Sequence, residues 1–250
     1  MFSLEIECDA DDRDLLIAEL WEQGSAGIVE LDPRRVRAFF EDAAVRDVLL
    51  GLYPGASLRQ EEQRDWVAAA REMLEPMEVG RRFYLVQEWR DDPTPPGRFR
   101  IAVNPGMAFG TGRHSTTQLC IEALEDYVEP GMTVLDVGTG SGILAKAARL
   151  LGAGKVVACD TDPVAVQIAG DAFVGSADAV ASGSAGLVVA NISPQAIIAL
   201  APEFRRVLRP GGVLLASGFE GHEVEQVSAA LPPVLEARHK GEWSLVVARA

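Results

Sequence analysis

The chain has 250 residues and a formal net charge of −14. Its contents of 48% hydrophobic and 24% charged residues are those of a folded globular protein and exclude an intrinsically disordered one. The negative charge disfavours a nucleic-acid partner, because tight binding to nucleic acids relies on Lys and Arg side chains that neutralise phosphates. A neutral small molecule or a basic protein suits the chain better as a partner.

The chain shows no targeting or metal-binding pattern. No apolar run approaches the roughly 18–20 residues needed to cross a bilayer, and the opening MFSLEIECDADDRD lacks the basic and apolar regions of a signal peptide. The cysteines, at positions 8, 120 and 159, form no CxxC pair, so buried reduced thiols are expected. We therefore expect a cytoplasmic, monomeric protein without metal.

Residues 1–57 are predicted to form a small α/β unit, because runs with the two-residue period of a strand alternate with runs at helical spacing. The order is strand, helix, strand, strand, helix, as in a ferredoxin-like sandwich. That fold hosts many functions, so it indicates no particular chemistry. The predicted elements are Phe2–Glu7, Asp11–Gln23, Gly27–Leu31, Val36–Glu41 and Asp42–Leu52.

The segment after this unit is predicted to be a linker. Gln60–Leu74 (QEEQRDWVAAAREML) has helical character and ends before Pro76, so residues 58–75 are assigned to a linker helix. Two strands, Phe83–Trp89 and Arg98–Val103, flank the Pro-rich turn segment DDPTPPG. A domain boundary in this turn is an alternative, but the similar lengths of the two strands and their closeness in sequence favour a hairpin.

From Thr133 onward, apolar strands alternate with amphipathic helices, which predicts a mostly parallel sheet covered on both faces. Two final strands predict an antiparallel edge. Residues 76–250 are therefore expected to form one large α/β domain. The predicted strands are Thr133–Val137, Val156–Asp160, Leu187–Asn191, Val213–Ser217, Val234–Arg238 and Trp243–Ala248. The predicted helices are Ile143–Leu151, Pro163–Ala169, Pro194–Leu208 and His222–Leu231.

The stretch VLDVGTGSGILA, residues 134–145, places three glycines between a strand and a helix, where they permit a tight turn and the close approach of a ligand. Ile143 stands where a P-loop or a dinucleotide fingerprint needs its last glycine, so the spacing fits neither motif. Asp136, two residues before the first glycine, would repel a pyrophosphate but suits an ammonium or sulfonium charge. S-adenosylmethionine carries both of these charges and no phosphate.

Two more polar residues stand at predicted strand ends. Asp160, about 20 residues past the loop, is placed to accept hydrogen bonds from both ribose hydroxyls of an adenosine ligand. NAD enzymes share this feature, so an NAD-dependent oxidoreductase remains an alternative. Asn191 either accepts a hydrogen bond from a substrate amine or makes a turn before Pro194, and the residues alone leave both interpretations open. Asp162 is expected to cap the helix that begins at Pro163.

The motifs DVGTGSG, CDTDP and VVANIS, in this order, resemble those of the Rossmann-like class I methyltransferases. The stretch NPGMAFGTGRHSTTQLCIEAL, residues 104–124, resembles the segment that marks the family of methyltransferases acting on ribosomal protein L11. The order of features is similar too, with a small α/β domain, a linker helix containing RDW and a C-terminal catalytic domain. The resemblance is strong over residues 104–162 and 188–192, and weak over residues 1–57.

This resemblance implies a Rossmann-like class I methyltransferase sheet in residues 76–250 and the transfer of methyl groups from S-adenosylmethionine to lysine and N-terminal amines of a ribosomal protein. Residues 1–57 would help to capture that protein. Asn191, with the Ile192 carbonyl, is expected to orient the amine, and bulk water would take the proton. The expected cofactor-binding residues are Thr117, Asp136, Gly138, Gly140, Asp160, Asn191, Phe109 and Gly110.

Residues 104–117 are expected to fold over the methionine end of the cofactor, with Met107 and Phe109 as apolar cover. His114 in this stretch is a candidate base, but an imidazole with a pKa near 6.5 is a poor match for a lysine proton, so a structural role is favoured. One departure stands out: the segment between Pro163 and Asn191 is shorter than the family's pattern, which puts the adenine contacts of residues 173–176 in question. A small-molecule methyltransferase, a methyltransferase of another protein and a non-catalytic binding module are the alternatives.

Overall fold

The computed structural model describes residues 2–9, 13–32, 34–60, 75–104 and 112–250. The contacts divide the chain into two compact units, residues 1–74 and residues 75–250. Most of the predicted linker helix, residues 61–74, lies outside the described residues, so this assignment stays a prediction, as do the proposed domain limits.

The first unit contains a four-stranded sheet in the order β2-β3-β1-β4, with β1 paired antiparallel to both β3 and β4. One face of the sheet packs on the helices, where the Phe2 and Phe40 rings stack with their centroids 5.3 Å apart. The sequence places residues 58–60 in the linker helix, and this is wrong: they belong to β4, the second neighbour of β1. The elements are β1 (Phe2–Glu7), α1 (Arg13–Glu22), β2 (Gly27–Asp32), β3 (Arg35–Phe40), α2 (Arg46–Leu52) and β4 (Ser57–Gln60).

The second unit is built on a seven-stranded sheet in the order β10-β9-β8-β11-β12-β14-β13. The first five strands in this order run parallel, and β14 pairs antiparallel with β12 and β13, as the sequence predicts for that edge. The strands are β8 (Thr133–Val137), β9 (Lys155–Asp160), β10 (Phe173–Val174), β11 (Ala185–Asn191), β12 (Leu208–Glu220), β13 (Val234–Lys240) and β14 (Trp243–Arg249). The helices are α3 (Ser115–Tyr127), α4 (Ile143–Leu150), α5 (Pro163–Ala169), α6 (Pro194–Val207) and α7 (Val224–Ala230).

Each face of this sheet carries its own apolar core, because side chains alternate between the two faces along a buried strand. Along β11, Leu187 and Val189 belong to the core with α3 and α4, while Val188 and Ala190 belong to the core with α6 and α7. Both faces of the sheet are therefore covered, which leaves the ends of the strands accessible to a ligand.

A three-stranded sheet, in the order β5-β6-β7, adds to the core on the side of α3 and α4. The predicted hairpin between its last two strands is wrong, because β6 and β7 pair in parallel, from Phe83 opposite Phe99 to Gln87 opposite Val103. The segment between them therefore runs back along the sheet, and the Arg100 guanidinium holds it through the carbonyls of Asp92 and Arg90 at 2.6 and 2.7 Å. The strands are β5 (Met77–Val79), β6 (Phe83–Gln87) and β7 (Phe99–Val103).

Candidate active site

The glycine loop between β8 and α4 turns through left-handed backbone conformations. Gly138, Gly140 and Gly142 have φ values of +72°, +53° and +76°, which glycine adopts without the strain that a Cβ brings. The amides of Gly138 and Thr139 donate to the Cys159 carbonyl at 2.9 and 3.0 Å, which ties the loop to β9. The loop thereby brings its backbone to the carboxyl ends of two neighbouring strands.

Asp136 lies behind this loop and is fully buried. Its Oδ2 accepts hydrogen bonds from Thr139 Oγ1 at 2.7 Å and from the Ala145 amide at 3.0 Å, while Oδ1 has no hydrogen-bond partner among the described residues. Burial raises the pKa of this carboxyl to about 6. Asp136 therefore braces the loop against α4 from inside the protein, whereas the sequence suggested a direct contact with the ligand.

Asp160 ends β9 and faces the loop. Its Oδ2 accepts a hydrogen bond from the Gly140 amide at 2.9 Å, and its Oδ1 accepts one from the Asp162 amide at 3.0 Å. Each carboxylate oxygen keeps a second lone pair for a ligand. Asp162 caps α5 by accepting from the Val164 amide at 2.8 Å, as its position before Pro163 predicts.

Asn191 ends β11, beside β8. Its Nδ2 donates to Thr117 Oγ1 of α3 at 3.4 Å, which fixes the amide, and its buried Oδ1 has no hydrogen-bond partner among the described residues. A buried, unpaired amide oxygen is uncommon because it loses the hydrogen bond that water would give it. It is a ready acceptor for a ligand N–H group. The next residue, Ile192, donates its amide to the Ser217 carbonyl of β12 at 3.0 Å.

These residues surround a cavity of about 370 Å³, at the low end of the roughly 300–1,000 Å³ typical of small-molecule sites. It lies where the strand order reverses, with β9 on one side of β8 and β11 on the other, the usual ligand position in an open α/β sheet. Five predicted site residues line it, and Asp136 is not among the lining residues. Phe109 and Gly110 lie outside the described residues. The lining includes Thr117, Gly138, Gly140, Asp160 and Asn191, together with Ile143, Leu144, Thr161, Ile192, Ser193, Ala196 and Leu200.

Gly175 and Ser176 also line the cavity, so the segment between Pro163 and Asn191 does reach the site. The two-residue strand β10 pairs with the end of β9, Val174 lying opposite Asp160, and carries these residues to the cavity edge. The sequence does not predict this strand, because two residues show no periodicity. The strand is defined by its pairing with β9, and a contact between distant parts of the chain leaves no pattern in the local sequence.

Arg206 of α6 holds the turn that follows Ser176. Its Nη1 donates to the Val180 carbonyl at 2.7 Å and to Ser182 Oγ at 3.0 Å, and its Nη2 donates to the Ala177 carbonyl at 2.9 Å and to the Asp178 carbonyl at 3.2 Å. A guanidinium has enough donors in fixed directions for such a set. We call this arrangement the Arg206 clamp. It fixes this turn to α6.

His114 stands at the N-terminus of α3. Its Nδ1 lies 2.7 Å from Thr116 Oγ1 and accepts from the Thr116 amide at 3.4 Å, so the imidazole caps the helix. Its ring contacts the Trp243 ring edge-on, with the centroids 4.5 Å apart. Neither ring is among the residues that line the cavity, and the capping bond agrees with the structural role favoured for His114.

Two kinds of site are not found among the described residues. No group of three or more His, Cys, Asp or Glu side chains there could hold a metal ion. Within the same ranges, no helix combines the length and the apolar character that a membrane span requires.

The parallel sheet with its antiparallel edge, the glycine loop at the strand reversal and the carboxylate at the end of β9 define a class I methyltransferase fold. A crystal structure of a ribosomal protein L11 methylase from Lactobacillus delbrueckii subsp. bulgaricus is similar, with a TM-score of 0.63 and 30% identity over 70% of this chain and 98% of that one. The family model for ribosomal protein L11 methyltransferase (PrmA) matches residues 49–250, so the chain belongs to this family.

Curated relatives agree with this membership. Over 237 residues the chain is 40% identical to the ribosomal protein L11 methyltransferase of Symbiobacterium thermophilum, covering 89% of this chain and 77% of the relative. It is 42% identical over 222 residues to the protein of the same name from Pelotomaculum thermopropionicum, covering 81% of this chain and 72% of that one. The resemblance inferred from the motifs is therefore confirmed.

Proposed function

We propose that this chain binds S-adenosylmethionine in the cavity at the glycine loop and transfers its methyl group to amines of a ribosomal protein of the L11 type, in the cytoplasm. The amines are lysine side chains and the N-terminal amine. The observation that carries this proposal is the convergence of Asp160 and Asn191 on one cavity at the strand reversal, in a chain that belongs to the L11 methyltransferase family.

The donors and acceptors of the cavity suit this cofactor. Asp160 is anchored by two backbone amides and retains lone pairs for the two ribose hydroxyls, which makes charge-assisted hydrogen bonds. Gly138 and Gly140 line the cavity with backbone that carries no side chain. Ile143, and not a P-loop lysine, comes directly after the last glycine, and the buried Asp136 carboxylate behind the loop favours a cation over a phosphate.

The bound cofactor supplies a methyl group on a sulfonium, and the protein must hold a neutral amine in line with it. Positioning of this kind provides most of what a protein contributes to a simple displacement. The unpaired Oδ1 of Asn191 can accept one hydrogen bond from the amine, and the Ile192 carbonyl can accept another, which orients the nitrogen lone pair. Among the described residues, no backbone amide donates to that carbonyl.

Both kinds of amine must lose a proton before they attack. A free lysine has a pKa near 10.4 and an α-amine one near 8, so the lysine depends more on the site. Two acceptors, an amide oxygen and a carbonyl, stabilise the amine without adding a negative charge that would keep it protonated. The proton can pass to bulk water before the amine is enclosed.

The net charge of −14 supports a basic protein as the partner, because opposite charges speed the encounter and favour the correct orientation. The small α/β unit is the candidate for holding it. Three functions compete with this proposal: methyl transfer to a small molecule, methyl transfer to another protein, and ligand binding without catalysis.

Mass spectrometry of purified ribosomal proteins, after incubation with the chain and S-adenosylmethionine, tests the proposal. We expect methyl groups on lysine and N-terminal amines of the L11-type protein, and far fewer when Asn191→Leu replaces the parent chain. Calorimetry in parallel should show binding of S-adenosylmethionine and not of NAD.

The outcomes separate the alternatives. Cofactor binding without methylation of any ribosomal protein would favour another acceptor or a binding module. Binding of NAD alone would refute the proposal as a whole.

A further inference from the structure

We propose that Gly218 is a positioning residue for methyl transfer: the absence of a side chain at this position sets the Ile192 carbonyl in place for the acceptor amine. This inference rests on the proposed function. It concerns a residue outside the set that lines the cavity.

Gly218 is the extra residue of a bulge in β12. Ser217 lies opposite Leu245 of β14 and Phe219 lies opposite Ser244, so one residue of β12 has no partner between them. Its φ is +106°, a value that side-chain-bearing residues rarely adopt. A bulge bends the strand locally and changes what it presents to its neighbours.

The bulge presses against the backbone of Ile192. A Cβ built on Gly218 would lie 2.1 Å from the Ile192 carbonyl oxygen, 2.8 Å from the carbonyl carbon and 3.0 Å from the amide nitrogen. All three are backbone atoms, so no rotamer change could relieve the contact. A side chain at position 218 would have to move the Ile192 peptide.

Other contacts prevent this peptide from moving freely. The Ile192 amide donates to the Ser217 carbonyl at 3.0 Å. The Ile192 side chain lies against the cofactor loop, where a Cβ on Gly138 would be 2.2 Å from its Cγ2. The segment that carries the acceptor carbonyl is therefore held between the glycine loop on one side and Gly218 on the other.

The bulge itself is braced from β14. Ser217 is fully buried, and its hydroxyl donates to the Ser244 carbonyl at 2.7 Å. This bond fixes the residue that precedes Gly218, so the bulge cannot slide along β14. The position of the Ile192 carbonyl thus depends on a chain of contacts that starts outside the cavity.

Gly218→Ala is the principal test, with Gly211→Ala as its matched control. Gly211 lies in the same strand with a φ of +76°, but a Cβ there meets no atom within 4 Å. Both variants place alanine in a left-handed conformation, and only one of them displaces Ile192. We expect Gly218→Ala to lower kcat for the ribosomal protein about 100-fold, the cost of a displacement near 1 Å at a reacting centre. The Kd for S-adenosylmethionine, measured by calorimetry, should stay within about threefold of the parent value.

Ser217→Ala provides a second test that adds no atom to the site and stays informative if Gly218→Ala does not fold. It should lower kcat about 10-fold by loosening the bulge, again with little change in cofactor affinity. A kcat within twofold of the parent in whichever of these variants folds would overturn the inference, as would an equal loss in Gly211→Ala. A loss of cofactor affinity that parallels the loss of kcat would also overturn it. If the parent chain itself transfers no methyl group to the ribosomal protein, the proposed function fails, and this inference fails with it.

Discussion

Replacing Asp160 by asparagine should weaken cofactor binding strongly, because the carboxylate serves two backbone donors before any ligand arrives. The Gly140 amide approaches Oδ2 and the Asp162 amide approaches Oδ1. An asparagine side chain has one oxygen and one NH₂ group, so in either orientation one of these amides faces a donor. The variant therefore loses a bond that shapes the loop and also an acceptor for a ribose hydroxyl.

The magnitude follows from the type of bond. A hydrogen bond to a charged group contributes about 1.5–3 kcal/mol, which corresponds to roughly 10- to 150-fold in affinity. The loss of one ribose acceptor and the partial loss of the loop geometry together should raise the Kd for S-adenosylmethionine about 100-fold.

Calorimetry with the parent and variant chains measures this Kd. Asp162→Asn is the control, since it removes the same charge two residues away while asparagine still caps α5. Its Kd should remain close to that of the parent. A cofactor product analogue that lacks one ribose hydroxyl separates the two contributions: the parent should bind S-adenosylhomocysteine better than this analogue, and Asp160→Asn should lose most of that preference.

Two results would refute this reasoning. An unchanged Kd for S-adenosylmethionine in Asp160→Asn would remove Asp160 from the site altogether. A variant that binds weakly yet still discriminates fully between the product and its deoxy analogue would show that Asp160 only shapes the loop.

Two further predictions concern residues behind the cavity. Arg206→Lys should raise the Kd for S-adenosylmethionine about 10-fold and leave kcat at saturating cofactor unchanged. The reason is that a lysine ammonium cannot replace the four hydrogen bonds of the Arg206 clamp, which follow Ser176 in the chain. An unchanged Kd would show that the turn keeps its shape without the clamp. The pKa of Asp136, about 6 against an ordinary 3.8, means that its carboxyl stabilises the fold at low pH and that this stabilisation is lost as pH rises through 6. Asp136→Asn keeps both bonds, since both donors meet one oxygen. In denaturant titrations its stability relative to the parent should therefore improve between about pH 4 and pH 8, by up to about 3 kcal/mol; a parallel pH dependence of the two chains would contradict this.

Much of the fold was predictable because the relevant signals are local. The strands of the large sheet are buried apolar runs bounded by turn residues, and β8, β9 and β11 agree with their predicted limits to within two residues. The positions of Asp160 and Asn191 were predictable as well. Each ends a parallel strand, and ligands bind at the carboxyl ends of the strands in an open α/β sheet.

The parts that the sequence did not reveal depend on partners distant in the chain. The parallel pairing of β7 with β6 requires the intervening segment to run back along the sheet, where the Arg100 guanidinium binds it, and no local pattern indicates these contacts. The Arg206 clamp joins residues more than 20 positions apart, and arginines in the last turn of a helix are too common to indicate such partners. Asp136 braces the loop and does not line the cavity because its side chain is buried, and this burial depends on how α4 packs over the loop.

The order of the strands has a consequence for synthesis of the protein. β14 lies between β12 and β13 in the sheet, yet it follows both of them in the chain. β14 also carries fully buried residues of both cores, Leu245 and Val247 on one face of the sheet and Val246 and Ala248 on the other. Domains generally fold as units as synthesis proceeds. Both cores, and with them the Ser217–Ser244 bond, are therefore complete only after residues 243–249 have been synthesised, and a chain truncated before residue 243 is expected to fold poorly and to bind little cofactor.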